Sequence, residues 1–338
     1  MPSVNTHVIF QTGFIGDIAL TMFLLEEIKL MYPKDRIVLV TTPAGAEISQ
    51  AFPQIIDEVI TYDKRGADTG WKGMKRIISI IRNQSATTLI SLHQSFRTSI
   101  IAAFSRIRFR IGYATAALSF VYNVKVPYNK HVHEIERQRA FLILNIFPDI
   151  INKLHVYKRQ LLNPVTLQSA IEKQWILIAP GSVWNTKKWP KHHFRTLIEL
   201  LLKHQLHPIG LIGSKADREL CESIIPAQHL GRVYNVAGTM SLNETVQHIR
   251  TAHLLIANDS APIHLASLVN CPTIALFGPT HPGFGFAPIS DDAIVLQKDL
   301  SCRPCSIHGQ YECPLGTHAC MEQILPSEVL KSALDFLN

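Results

Sequence analysis

Short apolar runs alternate along this chain with longer stretches in which apolar residues return every three or four positions. The runs predict buried parallel strands, and the intervening spacing predicts helices. In the first half Thr6–Phe10, Arg36–Val40, Glu58–Tyr62, Thr88–Leu92 and Ile107–Tyr113 read as strands. Ile18–Met31, Ala44–Ala51, Lys72–Arg82 and Phe96–Phe104 read as the helices between them. Arg106, Arg108 and Arg110 alternate with apolar residues, which predicts a charged edge strand for the last of these. Residues 114–170 are less regular. There His131, His133, Glu134, Glu136, Arg137 and Arg139 predict a solvated helix, and histidines at i and i+2 do not share the face a metal would need.

The pattern restarts with strand Trp175–Ala179 and a helix from Lys191, then strands His207–Ile212 and Val233–Val236. Ser241 and Glu244 form a capping box that opens a helix running to Thr251. Leu254–Ala257 is a strand, Asn258-Asp259-Ser260 are helix-capping types, and Pro262 fits a first helical turn. An apolar helix follows to Val269, then strand Thr273–Phe277 and the Gly278-Pro279-Thr280 turn. Strands alternating with helices predict an α/β fold, with helix N-termini at the carboxyl edges of the sheets. That edge binds ligands in open α/β sheets, and a helix N-terminus there suits a phosphate or pyrophosphate.

A chain of 338 residues is long enough for two domains. The boundary is expected near Leu161–Ser169, giving domains 1–165 and 166–338. Charge divides unevenly. Residues 1–165 hold 20 Lys+Arg against 12 Asp+Glu, a balance of +8, and the remainder hold 13 against 14, a balance of −1. A basic first domain predicts an anionic partner. Nucleic acid fits poorly, because the chain shows no aromatic platform or recognition helix. No apolar run is long enough to span a bilayer and the N-terminus carries no basic leader, so the expected location is cytoplasmic, with peripheral contact at the inner membrane.

The first strand runs into Gly13-Phe14-Ile15-Gly16-Asp17 at the head of a helix, a spacing only loosely like a dinucleotide fingerprint. Asp17 reads either as a first-turn capping carboxylate or as a general base. Four cysteines fall close together, Cys302-x2-Cys305-x7-Cys313-x6-Cys320. Their spacing suits a structural zinc or iron site; reduced thiols or two disulfides are the other readings. Cys221 and Cys271 read as core residues.

The segments FIGDIALTMFLLEEIK, APGSVWNTKKWPKHHF, LIGSKAD, GTMSL, NDSAPIHLA and ALFGPTHP span nearly the whole chain. In this order they resemble glycosyltransferase family 9, the ADP-heptose:lipopolysaccharide heptosyltransferases. The resemblance implies a GT-B architecture: two Rossmann-like domains with parallel sheets facing a central cleft, and a final helix, Ser327–Leu337, crossing back to the first domain. It implies inverting, metal-independent transfer from a nucleotide-activated heptose to the acidic inner core of lipopolysaccharide. It places Asp17 as the base, Lys187 on the pyrophosphate, Met240 beside the adenine, and the amides of Ser260, Ala261 and the next turn on the phosphates. Asp259 falls to the donor sugar or to ordering the loop. Gly16, Ser182, Gly213, His264 and Thr280 complete the implied donor contacts. Ala261-Pro262 stands where relatives often carry glycine, which predicts a narrower phosphate cradle. Lys215 or Asp217 occupies the place of a carboxylate that contacts the donor sugar in some relatives. Lys64, Arg65, Arg97, Arg106, Arg108 and Arg110 are the candidates for gripping the acceptor. A nucleotide-sugar epimerase or hydrolase on the same fold is the alternative, and the basic first domain argues against it.

Overall fold

The computed structural model describes residues 4–143, 175–204, 207–229 and 231–337. The chain divides into two compact units, Met1–Val165 and Thr166–Asn338. The expected boundary stretch, Leu161–Ser169, lies outside the described residues.

The first unit carries β1 (Thr6–Gln11), β2 (Arg36–Thr41), β3 (Glu58–Thr61), β4 (Thr88–Ser91), β5 (Phe109–Tyr113) and β6 (Val124–Val126). They form one sheet in the order β3-β2-β1-β4-β5-β6. Every neighbouring pair is parallel. Its helices are α1 (Ile15–Met31), α2 (Pro43–Ser49), α3 (Gly70–Asn83), α4 (Phe96–Phe104) and α5 (Glu134–Ile143). Each forms for a local reason. In α3 the buried residues Gly73, Met74, Ile77, Ile78 and Ile81 recur at helical spacing, so one stripe faces the sheet. In α1 every residue from Ile18 to Ile28 is buried, so the helix is enclosed on all sides.

Two expectations fail here. Ile107–Tyr113 is not the edge, because β6 pairs outside β5. Three residues with an exposed lysine between two valines are too short a signal to read as a strand. The helix from Glu134 is not solvated either: Glu134, Arg137 and Gln138 are buried. Glu134 pairs with Arg137 and accepts from Gln138 Nε2 at 3.0 Å. Arg139 Nε donates to buried Glu27 Oε1 of α1 at 2.6 Å. Oppositely charged neighbours neutralise one another, so a polar-looking stretch enters the interior. Burial still holds the Glu134 and Glu27 carboxyls above their ordinary range, against the opposing pull of their hydrogen bonds and guanidinium partners.

The second unit carries β7 (Trp175–Ala179), β8 (Ile209–Leu211), β9 (Val233–Asn235), β10 (Ala252–Asn258), β11 (Thr273–Leu276) and β12 (Ala293–Leu296). The order is β12-β11-β10-β7-β8-β9, again with every pair parallel. Renumbered within each unit the two sheets have one order, 3-2-1-4-5-6, the doubly wound arrangement. Its helices are α6 (Lys191–His204), α7 (Arg218–Ser223), α8 (Leu242–Arg250), α9 (Ala261–Val269), α10 (Ala319–Glu322) and α11 (Pro326–Leu337). Ser241 caps α8 with both capping-box bonds to Glu244. Asn270 ends α9 in the left-handed region. The final helix packs on α6, β10 and β11 of its own unit. Its buried residues Val329 and Ala333 join the same core as Phe194, Leu197 and Leu201. Cys221 is buried within that core, its thiol pushed up to about 12 by desolvation, and Cys271 is buried just after the end of α9.

Candidate functional site

In the second unit the strand order reverses between β7 and β10, and the crevice at such a reversal is where open sheets take ligands. Both strands end there in side chains of chemical use. Asn258 closes β10: its Nδ2 donates to Pro180 O at 2.8 Å, and its Oδ1 accepts from Trp189 N at 3.0 Å. One buried amide therefore fastens the loop after β7 at two points. Asp259 follows, its backbone N–H donating to Leu276 O at 3.0 Å. Lys187 Nζ lies 2.7 Å from Asp259 Oδ2, with the side chains only 12% and 7% exposed. Thr280 Oγ1 donates to the same oxygen at 2.6 Å. Lysine, aspartate and threonine from three separate loops thus form one buried constellation.

Ser260 caps α9 without a side-chain capping bond, and its Oγ is 3.5 Å from Gly181 O. Pro262 has no N–H, and Ile263 N–H already donates to Ser260 O at 3.2 Å. Past Ala261, the first two amides expected to extend a phosphate cradle are therefore missing or engaged. His264, expected among the donor contacts, is buried and its ring stands edge-on to Phe286.

The neighbouring loops press close. A Cβ on Gly181 would come within 2.3 Å of Asp217 Oδ1. Gly238 has φ of +70° and touches the Lys215 backbone, its N–H donating to Gly213 O at 3.0 Å. Asp217 Oδ2 accepts from Ser214 N at 2.9 Å and Ser214 Oγ at 2.6 Å. That carboxylate caps its own turn, while Lys215 is exposed. Ser182 Oγ accepts from Trp184 N at 3.3 Å, and Met240 is half-buried in the loop after β9.

In the first unit Asp17 sits in the first turn of α1, and its Oδ2 accepts from Phe14 N at 3.0 Å. Gly16 lies half-buried just before it. The capping role is therefore real, and it aims the carboxylate at the carboxyl edge. Lys64 Nζ donates to Thr12 O at 2.6 Å, and Arg97 Nη1 lies 3.4 Å from Lys64 O. Arg65 and Arg97 stand within electrostatic range of Lys64, whose pKa falls first through burial and then through those like charges. His93, at the end of β4, is lowered to about 4 by burial and by Lys64. Phe14, Trp71 and Phe96 open α1, α3 and α4 at this same edge and are 65%, 54% and 58% exposed.

The six basic residues expected to grip the acceptor do not all stand at one edge of the sheet. Arg106 and Arg108 precede the first residue of β5, so they lie at the amino edge, opposite Lys64, Arg65 and Arg97. Arg106 turns the chain at φ +63°, and Arg108 stacks on Phe109 at 5.1 Å. Arg110 binds backbone, donating from Nε to Val121 O at 2.8 Å and from Nη1 to Ile107 O at 2.6 Å. Arg106, Arg108 and Arg110 are thus engaged in local structure, and a parallel strand sends its two ends to opposite edges.

Residues 297–318, between β12 and α10, form no helix or strand. This segment grips the constellation from behind. Gln310 O accepts from Thr186 N at 3.1 Å and from Thr186 Oγ1 at 2.9 Å, and His318 Nε2 lies 2.8 Å from Thr186 O. Thr186 adjoins Lys187. On the other side Cys305 N donates to Pro279 O at 2.8 Å, and Arg303 Nη2 to Thr280 O at 2.7 Å. Asn258, Gln310, Arg303 and His93 were not foreseen, since their partners are remote in sequence. Among the described residues the group of ligand atoms already within 4.8 Å is His192, His193 and Glu322, not the cysteines. No described helix is long and apolar enough to cross a membrane.

Comparison with known proteins places this geometry. The family model for "Glycosyltransferase family 9 (heptosyltransferase)" matches residues 74–315. Lipooligosaccharide heptosyltransferase 2 of Haemophilus influenzae is 27% identical over 305 residues, covering 84% of this chain and 86% of its own. Its counterpart in Campylobacter jejuni serotype O:2 is 28% identical over 242 residues, covering 68% and 73%. The solved ADP-heptose lps heptosyltransferase II of E. coli superposes with a TM-score of 0.79 at 22% identity, covering 99% of this chain and 98% of that one.

Proposed function

Since the chain belongs to glycosyltransferase family 9, we propose that it transfers a heptose from ADP-heptose to the inner core of lipopolysaccharide, with inversion. The observation that carries this reading is the Lys187–Asp259–Thr280 constellation at the point where the second sheet reverses its strand order. Departure of a sugar from a nucleoside diphosphate puts negative charge on the leaving oxygens. Lys187, oriented by Asp259, and the Ser260 and Ala261 amides meet that charge with donors fixed before reaction. Asp259 therefore orders the lysine and Thr280 rather than touching phosphate, which it would repel. The adenosine lies toward Met240 and the Gly213 loop.

The acceptor belongs to the first unit. Lys64, Arg65 and Arg97 supply positive charge for acidic sugars and phosphates. Exposed Phe14, Trp71 and Phe96 suit the apolar side of a glycolipid, and so a membrane surface, without a spanning helix. Asp17 takes the proton of the acceptor hydroxyl. The freed oxygen attacks the anomeric carbon from the face opposite the diphosphate, the bond to the diphosphate breaks, and ADP leaves with the electron pair.

The test is ADP release from ADP-heptose with and without heptose-free lipopolysaccharide. Release that requires the acceptor supports the reading. Equal turnover without acceptor points to a hydrolase, and isomerised donor to an epimerase; either removes it.

A further inference from the structure

We propose that Cys302, Cys305, Cys313 and Cys320 hold one thiophilic metal ion, zinc or iron, as a structural clasp behind the donor site. The four cysteines line a single cavity of about 270 Å³, together with Pro314, Leu315, Thr317 and Ala319. All four are free thiols. Three lie on a stretch without helix or strand, and a long irregular stretch inside a compact domain calls for something that orders it. Cys320 is anchored in the first turn of α10 and buried.

After Cys313 the chain turns tightly, with Gly316 N–H donating to Cys313 O at 2.9 Å. The Cys305 thiol donates to Cys302 O at 3.0 Å, so this pair shares one tight turn. The sulfurs have not closed to ligand spacing. Closing to metal–sulfur bonds of about 2.3 Å needs side-chain rotation and loop contraction, with no ladder of backbone bonds to break. On binding, the thiol protons pass to solvent and no redox step is involved. Four thiolates leave no open position, so the role is structural rather than catalytic.

The position explains what the clasp would do. Gln310 and His318 hold Thr186 beside Lys187, while Cys305 and Arg303 hold the Pro279–Thr280 turn. Fixing the cysteine segment fixes two of the three partners in the Lys187–Asp259–Thr280 constellation. The effect on donor binding rests on the functional reading above; the metal content does not.

The experiment is elemental analysis of the full chain, purified without chelator under reducing, oxygen-free conditions. About one zinc or iron per chain is expected, the element identifying the metal. Cys302→Ser and Cys313→Ser should lose it, and Cys271→Ser should retain it. Stripping the metal should weaken ADP binding about tenfold, restored on returning the ion. Should the serine variants not fold, Co²⁺ added to stripped wild-type protein should give sulfur-to-cobalt charge-transfer bands. Any of four results overturns the proposal: wild-type protein metal-free even after reconstitution, disulfides among these cysteines, no charge-transfer bands, or metal retained by the variants, which would locate it at His192, His193 and Glu322. Unchanged ADP affinity after stripping removes the clasp. Absence of ADP binding in metal-loaded protein counts against the functional reading instead.

Discussion

Replacing Lys187 with methionine separates what the ion pair does for the fold from what it does for the ligand. Methionine keeps most of the stem and removes the charge. Asp259, 7% exposed, then retains Thr280 as a donor but loses its cation at 2.7 Å. Stranding one member of a buried pair typically costs about 3–5 kcal/mol, and the surviving Thr280 bond puts this case at about 3 kcal/mol. Loss of the ammonium from the diphosphate costs a further charge-assisted bond, about 2 kcal/mol, or roughly 30-fold in ADP affinity. Urea unfolding followed by tryptophan fluorescence reads the first effect in the right place, since Trp175, Trp184 and Trp189 belong to the second unit. Calorimetric titration with ADP reads the second. The double variant Lys187→Met with Asp259→Asn should regain most of the stability, because the buried charge is gone and the amide oxygen still accepts from Thr280. It should not regain ADP affinity. The reasoning is refuted if Lys187→Met unfolds at the wild-type urea concentration, or if the double variant binds ADP like wild type.

Three further outcomes are expected. Asp17→Asn keeps an acceptor for the Phe14 N–H, so folding and ADP binding persist while turnover falls by at least about 10²-fold; a near-wild-type rate dismisses Asp17 as the base. Arg97→Ala should raise KM for lipopolysaccharide acceptor about tenfold, whereas Arg108→Ala at the opposite edge leaves it unchanged; equal effects would contradict the split of the basic residues. His93 is neutral in the fold, its pKa lowered from 6.5 to about 4, so the unfolded chain binds its proton first as pH falls. Its stabilising contribution is complete above pH 6.5 and is lost between there and about 4, by up to roughly 3 kcal/mol. His93→Gln should flatten stability against pH across that window, and an unchanged slope would show that His93 does not titrate there.

Strand and helix identities were largely legible along the chain, because each is written in its own local period. Trp175–Ala179 and Phe96–Phe104 stand as the pattern predicts, and the Ser241 capping box forms as spelled. The place of Asp259 and Ser260 at the start of α9 was also readable, since an apolar run and Asn258 precede them. What local pattern does not carry is which strand lies beside which. Only the order β12-β11-β10-β7-β8-β9 sets the end of β10 against the end of β7, and so allows Asn258 to bind Pro180 and Trp189. In the first unit the parallel sheet likewise sets Arg106 and Arg108, just before β5, at the edge opposite Arg97, although they follow Arg97 closely along the chain. Glu134 and Arg137 look solvated until the fold supplies each with its opposite charge. Periodicity is a property of neighbours along the backbone. Ion pairs, sheet edges and the grip of residues 297–318 on Lys187 and Thr280 arise between segments far apart, where only packing decides who meets.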